Sequence, residues 1–252
     1  QQMYGNALNF AINYLGMDFK TAVGDLLNFN GYSQYKSAGD FTPRPAVVTE
    51  KTPEEEKPHK IYLYPLVDDA EKVVEYLTKT RGINEGLVRK MVEMGAVAQD
   101  ERGNAVFNIR GVDKQVTGAE ITGTSGKRFK RITENEGKGF WFTTTRDKKP
   151  EKAIFFESAI DAVSYFNLNP HDEALMVSMG GLKDKVITTM LKKTGISYEN
   201  AFLAADNDEA GKNFAAKMKE KYNISSISIA DDYRYKQLEQ IGTEVKDWNE
   251  LL

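Results

Sequence analysis

Short apolar runs alternate with segments of helical periodicity along the C-terminal part of the chain. The runs predict strands, and the segments between them carry apolar residues at the spacing of amphipathic helices. The predicted strands cover residues 153–156, 174–178, 201–205 and 224–229, and the predicted helices cover residues 158–168, 183–194 and 209–222. Continuous apolar strands that alternate with helices are typical of a parallel sheet with helices on both faces. We therefore predict an α/β domain over residues 150–252.

A different pattern precedes this domain. Helical spacing predicts two helices within residues 68–95, and glycine-separated apolar runs predict strands over residues 105–109, 118–122 and 139–142. This order indicates a smaller α+β domain over residues 61–149. Prolines and charged residues crowd residues 36–60, which indicates a solvated linker. Helical spacing within residues 1–35 predicts a small helical piece ahead of the linker.

The composition limits the function classes. Hydrophobic residues make up 40% of the 252 residues, which excludes a mostly disordered chain. The net charge of −3 excludes a globally basic nucleic-acid binder, so any such contact has to come from a local patch. Cysteine is absent, which excludes disulfides and thiolate metal sites within this sequence and fits a cytoplasmic location. No apolar run approaches the ~18 residues that cross a bilayer. The sequence begins at Gln1, so we expect a fragment with a segment missing upstream.

Acidic residues follow three of the four predicted parallel strands. Glu157 follows the first strand, Asp206 and Asp208 follow the third, and Asp247 comes after a charged stretch beyond the fourth. Ligands of open parallel sheets bind beyond the carboxyl ends of the strands, so we expect these carboxylates to share one edge. Oxygen ligands without histidine or cysteine suit Mg²⁺ or Mn²⁺ better than zinc.

Each of these carboxylates also has a structural explanation. Asp208 can cap the helix that follows it, and Glu157 can simply begin the next helix. Asp161 lies one helical turn after Glu157 and is either a supporting group or an anion that is favoured near a helix N-terminus. Their joint placement at the ends of one sheet favours a functional role.

Four segments resemble, in order and spacing, the motifs of Toprim domains. They are the turn with Glu157 and Asp161, a glycine motif, an Asp-x-Asp motif followed by Ala-Gly, and the closing Lys-Asp element of primase-type Toprim domains. In chain order they cover residues 153–163, Met179-Gly180-Gly181, residues 203–211 and residues 245–249. Ser158 departs from the pattern, because many Toprim domains carry glycine after the glutamate.

The resemblance implies a role for each motif residue. Asp206 and Asp208 would hold one or two Mg²⁺ or Mn²⁺ ions with help from Asp247, and Glu157 would be a further ligand or a general acid/base. The remaining residues would approach a phosphate or support the ligands, and they are Gly180, Gly181, Asp161 and Lys246.

The resemblance extends upstream of the Toprim motifs. Residues 76–110 resemble the domain that precedes Toprim in bacterial primases, and the segment from Gly123 to Arg131 is similar to Toprim proteins of mobile genetic elements. Residues 5–27 resemble the tail of a primase zinc-ribbon module whose metal ligands are absent from this sequence. The resemblance therefore implies zinc in a missing upstream module.

A basic segment supplies the local patch that nucleic-acid binding requires. Residues 123–149 hold eight basic residues and three acidic ones, with aromatic residues between them. Cations follow a phosphate backbone and aromatic faces stack on unpaired bases, so we expect contacts from Lys127, Arg128, Lys130, Arg131 and Trp141. A solvated hairpin whose aromatic side chains face the core is the alternative.

The resemblance implies metal-dependent primer synthesis on single-stranded DNA during mobile-element replication. The expected partners are single-stranded DNA, nucleotides and a helicase or another replication protein. Toprim domains also cut or rejoin strands, so a nuclease or strand-transfer enzyme is a second hypothesis. A non-catalytic DNA-binding accessory of a replication complex is a third.

Overall fold

The computed structural model describes Thr21 and residues 65–111, 115–126, 129–133, 137–145 and 148–252. The predicted N-terminal helical piece and the linker lie outside these residues, with the exception of Thr21. The fold below belongs to one compact unit, which spans residues 59–252. None of the helices in the described ranges has the length and apolar character that a bilayer span requires.

The first sheet has five antiparallel strands that are neighbours in chain order. They are β1 (Leu66–Val67), β2 (Val97–Asp100), β3 (Ala105–Arg110), β4 (Val116–Thr122) and β5 (Lys130–Ile132). Helix α1 (Glu71–Glu75) continues as a π-helix over Tyr76–Thr80, and α2 (Glu85–Glu93) follows. Both helices pack against the sheet in one apolar cluster. This arrangement confirms a smaller α+β domain, in which the two helices follow the short strand β1 and precede β2 to β5.

The second sheet is mostly parallel. Its strands are β6 (Trp141–Thr143), β7 (Ala153–Phe156), β8 (Leu175–Ser178), β9 (Ala201–Ala204) and β10 (Ser225–Ser226), in the spatial order β10-β9-β7-β8-β6. Strands β7 to β10 run parallel, and β6 is antiparallel to β8 at one edge. The carboxyl ends of β7, β8 and β9 therefore meet at one edge of the sheet.

Helices cover both faces of this sheet, as the apolar strands predict. The helices are α3 (Ala159–Leu168), α4 (Asp184–Thr194) and α5 (Glu209–Tyr222). Successive side chains of a strand point to opposite faces. Accordingly, Phe155 packs with α4 and α5 in one cluster, and Phe156 packs with α3 and Trp248 in another.

The last predicted strand is wrong over most of its length. Only Ser225–Ser226 is a strand, because the chain then turns into a 3-10 helix over Ile229–Asp231. The apolar side chains of Ile224 and Ile229 are still buried, so the alternation reflects core positions of an irregular segment. Helix α6 (Tyr233–Gln240) was not predicted, since it has no buried residue and therefore little apolar periodicity.

Candidate active site at the carboxyl edge of the second sheet

Glu157 occupies the turn between β7 and α3. Ser158 caps α3, since its hydroxyl accepts a hydrogen bond from the Asp161 amide at 3.3 Å. The Glu157 carbonyl accepts a hydrogen bond from the Gly181 amide at 2.8 Å, which joins this turn to the glycine turn after β8. The half-buried Glu157 side chain therefore leaves from a turn with a fixed backbone.

Asp206 and Asp208 lie in the turn between β9 and α5. Asp208 caps α5, because its Oδ1 atom accepts a hydrogen bond from the Gly211 amide at 2.8 Å. This contact confirms the structural explanation of Asp208, and it leaves the Oδ2 atom for another partner. The Oδ1 atom of Asp206 is buried and has no hydrogen-bond partner. An orphaned buried carboxylate oxygen is costly unless a proton or a cation meets it.

Gly211 fixes the position of Asp206. A Cβ atom at residue 211 would lie 2.1 Å from the carbonyl oxygen of Asp206. Backbone cannot give way as a flexible side chain can, so only glycine fits there. The Ala-Gly pair after the Asp-x-Asp motif thus has a physical purpose, which is to let α5 begin directly beneath the Asp206 backbone.

The segment around Asp247 docks onto the end of β9. The indole Nε1 of Trp248 donates to the carbonyl of Ala204 at 3.2 Å, and the Asn207 amide donates to the carbonyl of Lys246 at 2.6 Å. The Glu250 amide donates to Oδ1 of Asp247 at 2.9 Å. Because Trp248 is fully buried, this anchor holds the Asp247 carboxylate beside the Asp206 turn. Lys246 thus contacts the Asp206 turn through its backbone carbonyl.

Burial and mutual repulsion raise the pKa of the carboxyls at this edge. The pKa of Asp206 is raised to about 8 by burial, with further contributions from the charges of Asp161, Glu157, Asp247 and Asp208. The pKa of Glu157 is also raised, first by burial and then by the Asp208 charge, while Lys130 lowers it. The structure therefore brings together the acidic side chains that follow β7 and β9 with Asp247.

Asp161 is buried beneath this group. Its Oδ2 atom accepts a hydrogen bond from the Ser158 hydroxyl at 2.5 Å. Burial raises its pKa to about 7, the charge of Asp247 adds to that shift, and the Ser158 hydrogen bond opposes it. Asp161 therefore acts on the cluster through its charge and through the Ser158 cap.

Among the described residues, no three acidic or histidine side chains are arranged so that they could hold a metal ion as they stand. Two observations nevertheless fit a hard divalent cation. The donors are carboxylate oxygens without sulfur or imidazole, and the Asp206 Oδ1 atom lacks a partner. The donor atoms and the charge of this site therefore suit a divalent cation, although the carboxylates do not form a closed coordination shell.

The glycine motif forms a tight turn next to Glu157. Gly180 and Gly181 have φ angles of +61° and +101°, which side-chain-bearing residues rarely adopt. A Cβ atom at residue 180 would lie 2.5 Å from Cδ1 of Ile132, so the first sheet also crowds this turn. The glycines therefore let this turn pass close to Glu157, and both of their amides are used within the protein, by the Ser178 hydroxyl and the Glu157 carbonyl. A phosphate approach at these glycines stays a prediction.

Glu120 is a functional candidate that the sequence does not reveal. It lies on β4 of the first sheet and is 5% exposed. Its Oε1 atom accepts a hydrogen bond from the Ala159 amide at 2.9 Å, and its Oε2 atom accepts one from the Ser178 hydroxyl at 2.6 Å. Ser178 in turn accepts a hydrogen bond from the Gly180 amide at 3.1 Å. One buried carboxylate thus supports both turns of the candidate site.

A cavity of about 660 Å³ opens between the two sheets beside the acidic cluster. Asp161 and Asp247 line one side of it, and Lys130 and Arg81 supply cations. Arg81 is held by Asn249, whose Nδ2 atom donates to the Arg81 carbonyl at 2.7 Å. The cavity therefore offers anionic and cationic groups to one ligand.

The predicted nucleic-acid contacts separate into two places. Lys130 lines the cavity beside the acids, while its neighbour Arg131 is also exposed on β5. Trp141 lies on the edge strand of the second sheet and lines a different cleft. Lys127 and Arg128 lie outside the described residues. Lys130 is thus the predicted basic residue that the structure brings to the carboxylates.

Comparison with protein families gives two matches. Residues 75–150 match a family described as protein of unknown function (DUF3991), and residues 154–252 match a family described as Toprim-like. No curated protein matches the chain.

Three solved primase structures are similar to the described fold. The primase fragment of the bacteriophage T7 primase-helicase protein is 17% identical with a TM-score of 0.52, and the match covers 80% of this chain and 78% of that chain. The RNA polymerase domain of Mycobacterium tuberculosis primase DnaG is 15% identical with a TM-score of 0.46, covering 73% and 70% of the two chains. The E. coli primase catalytic core is 12% identical with a TM-score of 0.44, covering 64% and 66%. The family matches place a DUF3991 domain ahead of a Toprim-like domain, and the likeness to the T7 primase fragment is a likeness of fold.

Proposed function

We propose that this protein transfers nucleotidyl groups in a metal-dependent reaction that makes primers on single-stranded DNA, in the replication of a mobile genetic element. One observation carries the chemistry. The Oδ1 atom of Asp206 is buried without a hydrogen-bond partner. Burial raises the pKa of this carboxyl first, and the charges of Asp161, Glu157, Asp247 and Asp208 raise it further. Negative charge is in excess in this cluster even with Lys130 beside it, and a divalent cation would offset that excess.

The acidic residues at the carboxyl edge have different proposed roles. Asp206 and Asp208 would hold Mg²⁺ or Mn²⁺ with Asp247, and Glu157 would be either a further ligand or the general acid/base. A bound cation would neutralise charge on the phosphate and lower the pKa of an attacking hydroxyl. Burial raises the pKa of Glu157, which suits a group that takes and returns a proton during the reaction.

The cavity beside the cluster is the proposed place for nucleotide and template. Lys130 and Arg81, which line this cavity, would meet phosphates. Gly180 and Gly181 would serve the site by letting the turn pass close to Glu157, since both of their amides already donate within the protein. Lys127, Arg128 and Arg131 would extend this contact along the strand backbone. The proposed partners are single-stranded DNA, nucleotides and a helicase or another replication protein, and the proposed location is the cytoplasm.

The experiment is an incubation of the protein with single-stranded template, labelled nucleotides and Mg²⁺ or Mn²⁺. We expect labelled extension products from the wild-type protein and their loss with Asp206→Asn and with Asp208→Asn. Glu220→Gln is the matched control, because Glu220 is exposed on α5 away from the turn. Template degradation would favour the nuclease alternative, and a mobility shift without product would favour the accessory alternative. Unchanged products from both aspartate variants would overturn the metal assignment.

A further inference from the structure

A second cleft lies on the outer edge of the second sheet. It has a volume of about 250 Å³ and is walled by Trp141 of β6, Leu175 of β8, Met190 of α4 and Pro150. None of the carboxylates of the candidate active site lines it. The cleft is therefore separate from the metal-binding edge, and nothing in the proposed reaction uses it.

The charged residues that line this cleft are all basic. They are Arg110, Lys138, Lys149 and Lys193. Within the described part of the chain, neither Lys149 nor Lys193 forms an ion pair, and both are exposed. An apolar floor with a cationic rim matches a ligand that has a flat apolar part and a negative part.

Cations at the end of helix α4 also have a structural explanation. Helix α4 ends at Thr194 with Lys192 and Lys193 in its last turn, where cations offset the partial negative charge of the helix end. Lys192 provides this effect without lining the cleft. The helix end therefore does not explain why an indole ring and three further apolar side chains border the same space as Lys193.

Trp141 is held in a fixed orientation. Its indole Nε1 donates a hydrogen bond to the carbonyl of Arg110 at 2.9 Å, and the ring packs partly against the core. The polar atom of the indole is therefore already satisfied, and what the ring offers to the cleft is apolar surface. A ring that is already immobilised loses little conformational entropy when a flat ligand packs on it.

The cleft continues into a second cavity. That cavity has a volume of about 390 Å³ and shares Lys149, Pro150 and Thr194 with the first. Glu151 lines only the second cavity, so the basic residues that line the two cavities together outnumber this one acidic residue. The two together form a groove rather than a single closed pocket. A groove of this kind suits a chain-like ligand better than an isolated small molecule.

We propose that this groove binds an unpaired nucleic-acid strand, with one base against Trp141 and the neighbouring phosphates on Lys149 and Lys193. Aromatic rings and cations in one groove are the combination that single-stranded nucleic acid requires, because bases stack and phosphates pair with cations. The choice of polymer rests on the proposed function, while the groove itself stands on its own contacts. The site would hold the strand at a distance from the reacting edge.

The test uses intrinsic fluorescence, because the chain has two tryptophans and Trp248 is fully buried. The full chain is titrated with oligodeoxythymidines of increasing length in buffer that contains EDTA, so metal chemistry plays no part. The fluorescence of Trp141 is obtained by subtracting the signal of Trp141→Phe from that of the wild-type protein. We expect the oligonucleotide to quench this Trp141 fluorescence. The affinity should fall by about 5- to 150-fold with Trp141→Ala, as expected for the loss of one stacked base.

The lysine variants provide the second arm. Lys149→Ala and Lys193→Ala should each weaken binding and reduce the slope of log affinity against log salt by about 0.7, the value for one phosphate contact to a single strand. Lys192→Ala is the matched control and should change neither quantity. Substitution of these exposed lysines leaves the core intact. The lysine measurements therefore test the proposal even if Trp141→Ala unfolds.

Several outcomes would overturn the proposal. They are an absence of Trp141 quenching, equal effects of Lys192→Ala and Lys193→Ala, and quenching by thymidine monophosphate that does not strengthen with chain length. Because Asp206→Asn should leave the quenching unchanged, the two proposals fail separately. An inactive protein that still shows length-dependent quenching would retain the groove and lose the proposed reaction.

Discussion

The carboxylate of Glu120 accepts a hydrogen bond from the Ser178 hydroxyl at 2.6 Å, although the two residues belong to different sheets. The same carboxylate accepts the Ala159 amide, so the first sheet is tied to the turns that follow both β7 and β8. Burial raises the pKa of Glu120, and its two hydrogen bonds oppose that shift. The α+β domain thus contributes directly to the geometry of the Toprim-like site.

Removal of this tie should destabilise the protein and loosen the site. Glu120→Ala leaves the Ser178 hydroxyl and the Ala159 amide buried without an acceptor, so we expect the free energy of unfolding to fall by about 2–3 kcal/mol. Urea denaturation measures the change. Glu101→Ala is the control, because that side chain is exposed in the turn between β2 and β3. Equal stability of the two variants would contradict a supporting role for Glu120.

The repulsion among the carboxylates should make the metal-free protein less stable at high pH. A carboxyl whose pKa is higher in the folded chain than in the unfolded chain contributes stability that is full below the unfolded pKa of about 4. For Asp206, that contribution is lost as the pH rises to about 8. Asparagine carries no charge, so Asp206→Asn should remove this part of the pH dependence.

The prediction is checked by thermal denaturation in EDTA at pH 5 and at pH 8.5. The wild-type protein should lose more stability between these two pH values than Asp206→Asn does. Glu220→Gln, an exposed carboxylate on α5, should follow the wild type. If Asp206→Asn loses as much stability as the wild-type protein, the buried charge of Asp206 is not the cause.

Two variants of Asp208 should distinguish its capping of α5 from its proposed binding of a metal ion. Asparagine caps helices about as well as aspartate, so Asp208→Asn should keep the stability of α5 to within about 0.5 kcal/mol. A cation that binds the folded state raises the melting temperature, and this rise should be smaller in Asp208→Asn than in the wild-type protein. Asp208→Ala should in addition lose about 1 kcal/mol of stability. An undiminished Mn²⁺ effect in Asp208→Asn would remove this residue from the proposed ligands.

The local pattern of the sequence predicts most of the second sheet. The strands that contain Phe155, Met176 and Leu203 are buried on both sides, so each reads as an apolar run of strand length. Acidic residues directly after such runs predict the candidate site, because parallel strands end at one edge. Where the chain leaves regular structure, as between Ile224 and Ile229, buried apolar residues imitate a strand.

Contacts between distant segments could not be predicted in the same way. Glu120 lies in a strand whose neighbours in sequence give no sign that its partners are Ala159 and Ser178. Trp141 was predicted from the basic segment around it, but its place on the edge of the second sheet separates it from Lys130. Such relationships depend on how the two sheets pack, and one sequence carries no direct record of that.

Gly211→Ala should damage the site without removing any charged group. The added Cβ atom would lie 2.1 Å from the Asp206 carbonyl oxygen, so either α5 or the Asp206 turn has to move. Overpacking of this kind costs about 1–3 kcal/mol, and urea denaturation measures the loss. Lys212→Ala is the control, because it places the same side chain at the next, exposed position of α5. The shift of the Asp206 turn should also weaken Mn²⁺ binding, whereas a variant that loses stability but binds Mn²⁺ as well as the wild type would mean that α5 moves and Asp206 stays.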